Sequence, residues 1–114
     1  MESLEVARAV VNILEDKKAE NIVLLDIQEL TTIADYFVIC SGTSNRMLDA
    51  LAHAVQDQMR DQHKRRGRVE GVAQNGWMLA DYGDVVVHIF SVDQREYYRL
   101  EELWAEGKTL LRLQ

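Results

Sequence analysis

One stretch, Gly76 to Phe90, restricts the fold of this chain more than any other part of the sequence. Two apolar runs within it are separated by Gly83 and Asp84. A pair that begins with glycine suits a tight two-residue hairpin turn, because the first turn position then requires a positive φ. The stretch therefore predicts two antiparallel strands, with Tyr82 directly opposite Val85.

The two faces of this predicted hairpin differ in character, because directly paired residues share a face of a sheet. The first face is almost entirely apolar and predicts a core: Met78, Ala80, Tyr82, Val85, Val87 and Ile89. The second face mixes rings and aliphatic side chains with an acid and an imidazole: Trp77, Leu79, Asp81, Val86, His88 and Phe90. A mixed face with a Trp is typical of the centre of a protein interface. The alternative is a face covered by another element of the same chain, in which Asp81 pairs with His88.

Composition indicates one folded domain that spans residues 1–114. The apolar fraction of 47% and the charged fraction of 28% are ordinary for a globular chain of this length. No apolar run approaches the length of a membrane span, and the acidic start lacks the pattern of a targeting peptide, so we expect a cytoplasmic protein. Cys40 is the single cysteine and lies in an apolar run, which predicts a buried, inert thiol.

Charge indicates the chemistry of the partner. The net charge is −6, from 13 basic and 19 acidic residues, whereas nucleic-acid binding usually shows a basic footprint. The one basic run, Lys64 to Arg68, suits the end of a helix. We therefore expect contact with RNA to be minor at most, and an acidic surface that matches a basic protein.

Apolar spacing predicts an α/β (α+β) fold in which helices pack on a mixed sheet. The predicted helices are one capped by Ser3, one from Thr43 or Ser44 to about His63, and one from Gln94 to about Glu106 with Tyr97, Leu100, Leu103 and Trp104 on one side. The predicted strands are 22–25, 36–40, the hairpin, a short strand near Val69 and a terminal strand at 109–111.

Signals for catalysis are weak. The chain has no P-loop, no Gly-x-Gly-x-x-Gly, no His-Glu-x-x-His and no Gly-x-Ser-x-Gly. The run Ser41 to Asn45 could hold an anion on free backbone N–H groups, although a helix cap explains the same residues. Asp49, His53 and Asp57 share a helix face, which favours a solvated face over a metal site. We expect no enzyme activity, no cofactor and no metal.

Three segments resemble the ribosomal silencing factor family, also called Iojap-like: Asp35 to Ser44, Gly76 to Phe90 and Arg95 to Trp104. The resemblance covers nearly the whole chain. It implies a nucleotidyltransferase-like fold without nucleotidyl-transfer activity, which agrees with the missing Asp-x-Asp pair. It further implies a translational repressor that binds protein fourteen of the large ribosomal subunit and sterically blocks association with the small subunit. Members of the family are often homodimers when free.

The resemblance places the contact surface on the sheet and the adjacent C-terminal segment. The corresponding residues of this chain are Trp77, Leu79, Asp81, Asp84, His88, Tyr98, Leu100, Glu101, Leu103 and Trp104. Trp77 and Leu79 would be apolar anchors, and the acids, with Glu102, would face basic groups. Tyr97 and Tyr98 are adjacent, so at most one of them points straight at the sheet.

Two other functions remain open at the level of sequence. One is a degenerate nucleotidyltransferase-like domain that binds a nucleotide or anion through Ser41 to Asn45. The other is an acidic ribosome-assembly factor, which would bind many basic proteins with little discrimination and would lose them in salt.

Overall fold

The computed structural model describes residues 1–114. Its helices and strands are, in chain order, α1 (Ser3–Asp16), β1 (Glu20–Asp26), β2 (Tyr36–Gly42), α2 (Asn45–His63), β3 (Arg68–Val72), β4 (Trp77–Asp81), β5 (Val85–Ser91), α3 (Val92–Tyr98), α4 (Leu100–Leu103) and β6 (Lys108–Leu113). A 3-10 turn, Ala73–Asn75, leads into β4. No helix combines the length and the apolar character that a membrane crossing requires.

All the strands belong to one sheet with the order β3-β4-β5-β2-β1-β6. β2 and β5 are parallel, and every other neighbouring pair is antiparallel. The mixed sheet with packed helices confirms the predicted α+β class. The short strand near Val69 and the terminal strand are also confirmed, as β3 beside β4 and β6 beside β1.

Helices α1 and α2 cover one face of the sheet, and the main core of 24 buried residues lies beneath them. The predicted stripe of α2 is buried in full: Leu48, Leu51, Ala52, Val55 and Met59. Burying a side chain such as Leu or Met contributes about 1.5–3 kcal/mol, so this stripe anchors α2. Cys40 lies buried in the same core as predicted, and burial raises the pKa of its thiol to about 12.

The hairpin has the predicted register. Trp77 pairs with Phe90 and Ala80 with Val87, and the Tyr82 amide donates to the Val85 carbonyl at 2.9 Å. Gly83 closes the turn with φ +84°. All six side chains of the predicted core face are buried in the main core.

Of the two predicted helix N-caps, the one on α2 is confirmed and the one on α1 is wrong. Ser44 caps α2, since its hydroxyl accepts a hydrogen bond from the Met47 amide at 3.1 Å. Ser3 does not cap α1: it is the first helical residue, and Glu2 is the cap. Glu2 and Glu5 form a reciprocal capping box, which satisfies two free backbone donors where a serine would satisfy one.

The predicted continuous last helix is wrong. Helix α3 ends at Tyr98, Arg99 adopts a left-handed conformation with φ +49°, and the chain restarts as the single turn of α4. The break redirects α4, and Leu100 and Trp104 then pack on the sheet. The predicted stripe is therefore divided, because Tyr97 and Leu103 are exposed.

Candidate protein-binding surface

The sheet face opposite α1 and α2 has only a partial cover. It carries a second, smaller apolar cluster: Val23, Leu25, Ile27, Ala34, Phe37, Ile39, Val86 and Phe90. Half-buried Trp77, Leu79, Leu100 and Trp104 pack against this cluster. The only helices on this side are α3 and α4, which are short and bury no residue fully. Large apolar side chains therefore remain within reach of solvent on this face.

We call the outward-facing side chains of the hairpin, with the tyrosine that packs on them, the aromatic face: Trp77, Leu79, Asp81, Val86, His88, Phe90 and Tyr98. The Trp77 ring stacks on Phe90 with centroids 5.0 Å apart. Tyr98 lies 4.6 Å from the same indole. Tyr98 is 43% exposed, whereas Tyr97 is 76% exposed, so Tyr98 is the tyrosine that turns toward the sheet.

His88 is the buried polar residue of the aromatic face, with only 6% of its surface exposed. Its Nδ1 accepts a hydrogen bond from the indole N–H of Trp77 at 3.2 Å. Burial lowers the pKa of His88 to about 4, against a smaller opposing effect of the nearby Asp81 charge. The ring is therefore neutral near pH 7 and carries its proton on Nε2, which has no partner within the chain.

Asp81 serves the hairpin turn. Its carboxylate accepts a hydrogen bond from the Gly83 amide at 2.7 Å. The Asp81–His88 pair that a fully covered face would require is absent, because the polar partner of His88 is Trp77. The covered interpretation is therefore met only in part: His88 and Phe90 are buried, but the predicted Asp81–His88 pair does not form.

Two of the predicted acidic contacts already have partners inside the chain. Asp84 pairs with Arg65 at 3.1 Å, and Arg65 also donates to the Tyr82 carbonyl. Glu101 pairs with Arg95. A pair of this kind leaves a carboxylate less available to an external cation, so Asp81 and Glu102 are the better placed of the predicted acids.

Sequence reasoning did not single out Arg95, yet it holds the C-terminal segment in place. Its mostly buried guanidinium donates to the Asn21 carbonyl at 2.6 Å, to the Ser41 hydroxyl at 2.9 Å and to both carboxylate oxygens of Glu101. Residues six apart do not face each other on a continuous helix. The contact with Glu101 therefore depends on the break at Arg99, which the sequence does not signal.

The structure brings together most of the predicted site and separates the rest. Side chains packed on the partly covered side of the sheet are Trp77, Leu79, His88, Tyr98, Leu100 and Trp104. Trp104 meets Phe37 edge to face at 5.4 Å. Leu103 lies apart from these contacts and is 75% exposed.

The run considered for anion binding has structural partners. Ser44 caps α2, and the Ser41 hydroxyl accepts from Arg95. A groove of about 270 Å³ lies between residues 42–45 and 91–93, and Asp93 lines it, so a carboxylate opposes an anion there. In the other predicted triplet, a His53 ring nitrogen bonds to the Asp49 carbonyl at 2.7 Å and Asp57 pairs with Arg60 at 3.4 Å.

Comparison with known proteins identifies the family. The profile described as "Ribosomal silencing factor during starvation" matches residues 1–113. The ribosomal silencing factor RsfS of Halalkalibacterium halodurans is 42% identical over 110 residues, 96% of this chain and 94% of that protein. The mouse protein named "Mitochondrial assembly of ribosomal large subunit protein 1" is 33% identical over 97 residues, 82% of this chain and 42% of that protein. A crystal structure of a Chromobacterium violaceum protein superposes with a TM-score of 0.87 at 36% identity and covers 92% of this chain and 88% of that one. This chain belongs to the ribosomal silencing factor family.

Proposed function

We propose that this chain is a translational repressor that binds the large ribosomal subunit through protein fourteen of that subunit. Bound there, it sterically blocks association with the small subunit. The observation that carries the proposal is the incomplete cover of the sheet, which leaves Trp77 and Tyr98 in contact, with ring centroids 4.6 Å apart, but accessible. Accessible aromatic side chains around a desolvated centre are typical of binding hot spots.

The polar groups of the aromatic face support binding rather than catalysis. His88 is neutral, and its ring is held by Trp77 and by an edge contact with Phe37 at 4.8 Å. A general base must reach a substrate proton, whereas this imidazole lies beneath the surface. We therefore assign the face to recognition and propose that the chain is not an enzyme.

Charge supports a basic protein as the partner. The chain carries a net charge of −6, and Asp81 and Glu102 lie on the aromatic face and on the adjoining α4. The basic run at Lys64 to Arg68 is partly used within the chain, since Arg65 is paired with Asp84. Contact with ribosomal RNA is therefore a minor part of the proposal. We expect the protein to act in the cytoplasm.

Co-sedimentation with purified ribosomal subunits tests the proposal. At fixed magnesium and salt, the protein should travel with the large subunit and should lower the amount of joined particle. Trp77→Ala should lose both effects. Leu110→Ala is the control, because Leu110 is an apolar residue at the surface, 45% exposed, that lies on β6 at the far edge of the sheet from Trp77. If the wild-type protein travels with neither subunit and joining is unchanged, the proposal is wrong.

A role in assembly of the large subunit is the second candidate, and the similarity to the mouse assembly protein favours it. The two functions differ in when the protein acts. A repressor prevents the joining of finished subunits, whereas an assembly factor increases the yield of large subunits during reconstitution. Adding the protein before or after reconstitution separates these outcomes.

We also propose that the free protein forms a homodimer. A partly covered apolar face favours self-association when no other partner is present. Sedimentation equilibrium over a range of protein concentrations measures this, and a monomer at every concentration would contradict it.

A further inference from the structure

A groove of about 480 Å³ adjoins the aromatic face at the C-terminal segment. The residues that line it are Leu30, Glu102, Leu103, Trp104, Ala105 and Glu106. Leu30 comes from the loop between β1 and β2, and the other five come from α4 and the residues that follow it. No sequence pattern assigned Leu30 or Glu106 to a binding site.

Leu30, Leu103, Trp104 and Ala105 form the apolar part of the groove. Trp104 packs edge to face on Phe37, whose ring in turn contacts His88 of the aromatic face. Leu103, directly before it, is among the most exposed large apolar side chains of the protein. Trp104 is thus linked to the aromatic face through the buried ring of Phe37, and the groove lies beside that face.

The polar lining of the groove consists of two acids and no base. Glu102 has one weak partner, Arg99 at 3.7 Å, and both side chains are exposed. Exposed pairs of this kind contribute little. Glu106 forms no ion pair in the chain. Two carboxylates that are free to receive a cation therefore flank an apolar channel.

We propose that this groove binds one arginine or lysine side chain of the protein partner. Such a side chain has an apolar stem and a charged head, so the stem lies along Leu103 and Trp104 and the head lies between Glu102 and Glu106. The indole adds a favourable cation–π contact. The same carboxylates would repel an RNA phosphate, so the occupant is protein. The inference rests on the proposed function, because it assigns the chemistry that the partner presents.

The test is the affinity for purified protein fourteen, measured by calorimetry at two salt concentrations. Glu102→Gln combined with Glu106→Gln should weaken binding at least fivefold at low salt and should reduce the salt dependence. The control is Glu15→Gln combined with Asp49→Asn, which removes the same charge from exposed positions on α1 and α2. Leu103→Ser should weaken binding at both salt concentrations, because it shortens the apolar wall.

The outcomes separate the inference from the proposed function. If the wild-type protein does not bind protein fourteen, the proposed function is wrong. If the wild-type protein binds and the Glu102/Glu106 variant binds equally well, the groove does not hold a cation. Equal weakening by the control variant would show that only the net charge matters, and the inference would again be overturned. Unchanged circular dichroism and unfolding temperature exclude misfolding as the cause of any loss.

Discussion

The indole N–H of Trp77 donates a hydrogen bond to Nδ1 of His88 diagonally across the hairpin, at 3.2 Å. The bond orients both rings, and Phe90 supports the indole from below at 5.0 Å. A ring held in this way loses little conformational freedom when a partner binds, so more of its contact energy appears as affinity. This relationship connects the sequence of the hairpin with its proposed role in recognition.

Truncation of Trp77 should weaken binding more than it affects folding. Trp77→Ala removes a half-buried ring from the centre of the aromatic face. We expect this change to weaken binding to protein fourteen by about 2 kcal/mol or more. The core beneath α1 and α2 is untouched, so circular dichroism should stay native. Calorimetry measures the affinity. A variant that is unfolded at the assay temperature would show that Trp77 belongs to the core.

Acidification should destabilise the protein through His88. The folded-state pKa is about 4, below the unfolded value of 6.5. Between these values the unfolded state binds more protons, so stability is fully present above about pH 6.5 and falls as the pH drops toward 4. The free energy of unfolding of the wild type and of His88→Gln, measured by denaturant titration from pH 7 to pH 4, checks this. Equal pH dependence of the two proteins would contradict it.

Loss of Arg95 should release the C-terminal segment. Arg95→Ala removes the donor shared by Asn21, Ser41 and Glu101, and we expect a loss of about 2 kcal/mol in stability. The emission of Trp104, recorded in a Trp77→Phe background, should shift to longer wavelength because α4 no longer packs on the sheet. Arg95→Lys should keep part of the stability. An unchanged emission spectrum would show that α4 holds its position without Arg95.

Two glycines with positive φ should differ in their tolerance of alanine. A Cβ added at Gly83 has no atom within 4 Å, so Gly83→Ala introduces only the backbone strain of a φ of +84°. That strain costs about 1 kcal/mol. Gly71→Ala has a similar φ of +92°, but its Cβ would lie 2.5 Å from the Trp77 carbonyl oxygen. We expect a clearly larger loss of thermal stability for Gly71→Ala, and weaker binding because the strand that carries Trp77 shifts. Equal melting temperatures would contradict this.

Much of the hairpin and of α2 could be predicted because the information there is local. Alternation with a period of two assigns each strand residue to a face, and Gly83 sets the register through its turn. The stripe from Leu48 to Met59 is likewise a matter of helical spacing. These local patterns are sufficient to distinguish the core face of the hairpin from its aromatic face without any tertiary contact.

The C-terminal segment could not be predicted in the same way. A regular helical stripe from Tyr97 to Trp104 predicts one helix, yet the chain breaks at Arg99. The break allows Arg95 to reach Glu101 and allows Leu100 and Trp104 to pack on the sheet. These contacts join residues that are distant in sequence or six apart, and they outweigh the small preference of individual residues for helix.

The sequence by itself determined the class of fold, the division of the hairpin into two faces and the acidic charge, because periodicity, turn chemistry and composition are properties of local sequence. The tertiary structure alone decided that β2 and β5 are parallel neighbours, that His88 is buried and neutral with Trp77 as its partner, and that Leu30 meets Trp104 and Glu106 in one groove. Each of these depends on which distant segments come together. The pairing of distant segments is determined by how the apolar surface of the whole chain is buried, and this cannot be read from any single stretch of sequence.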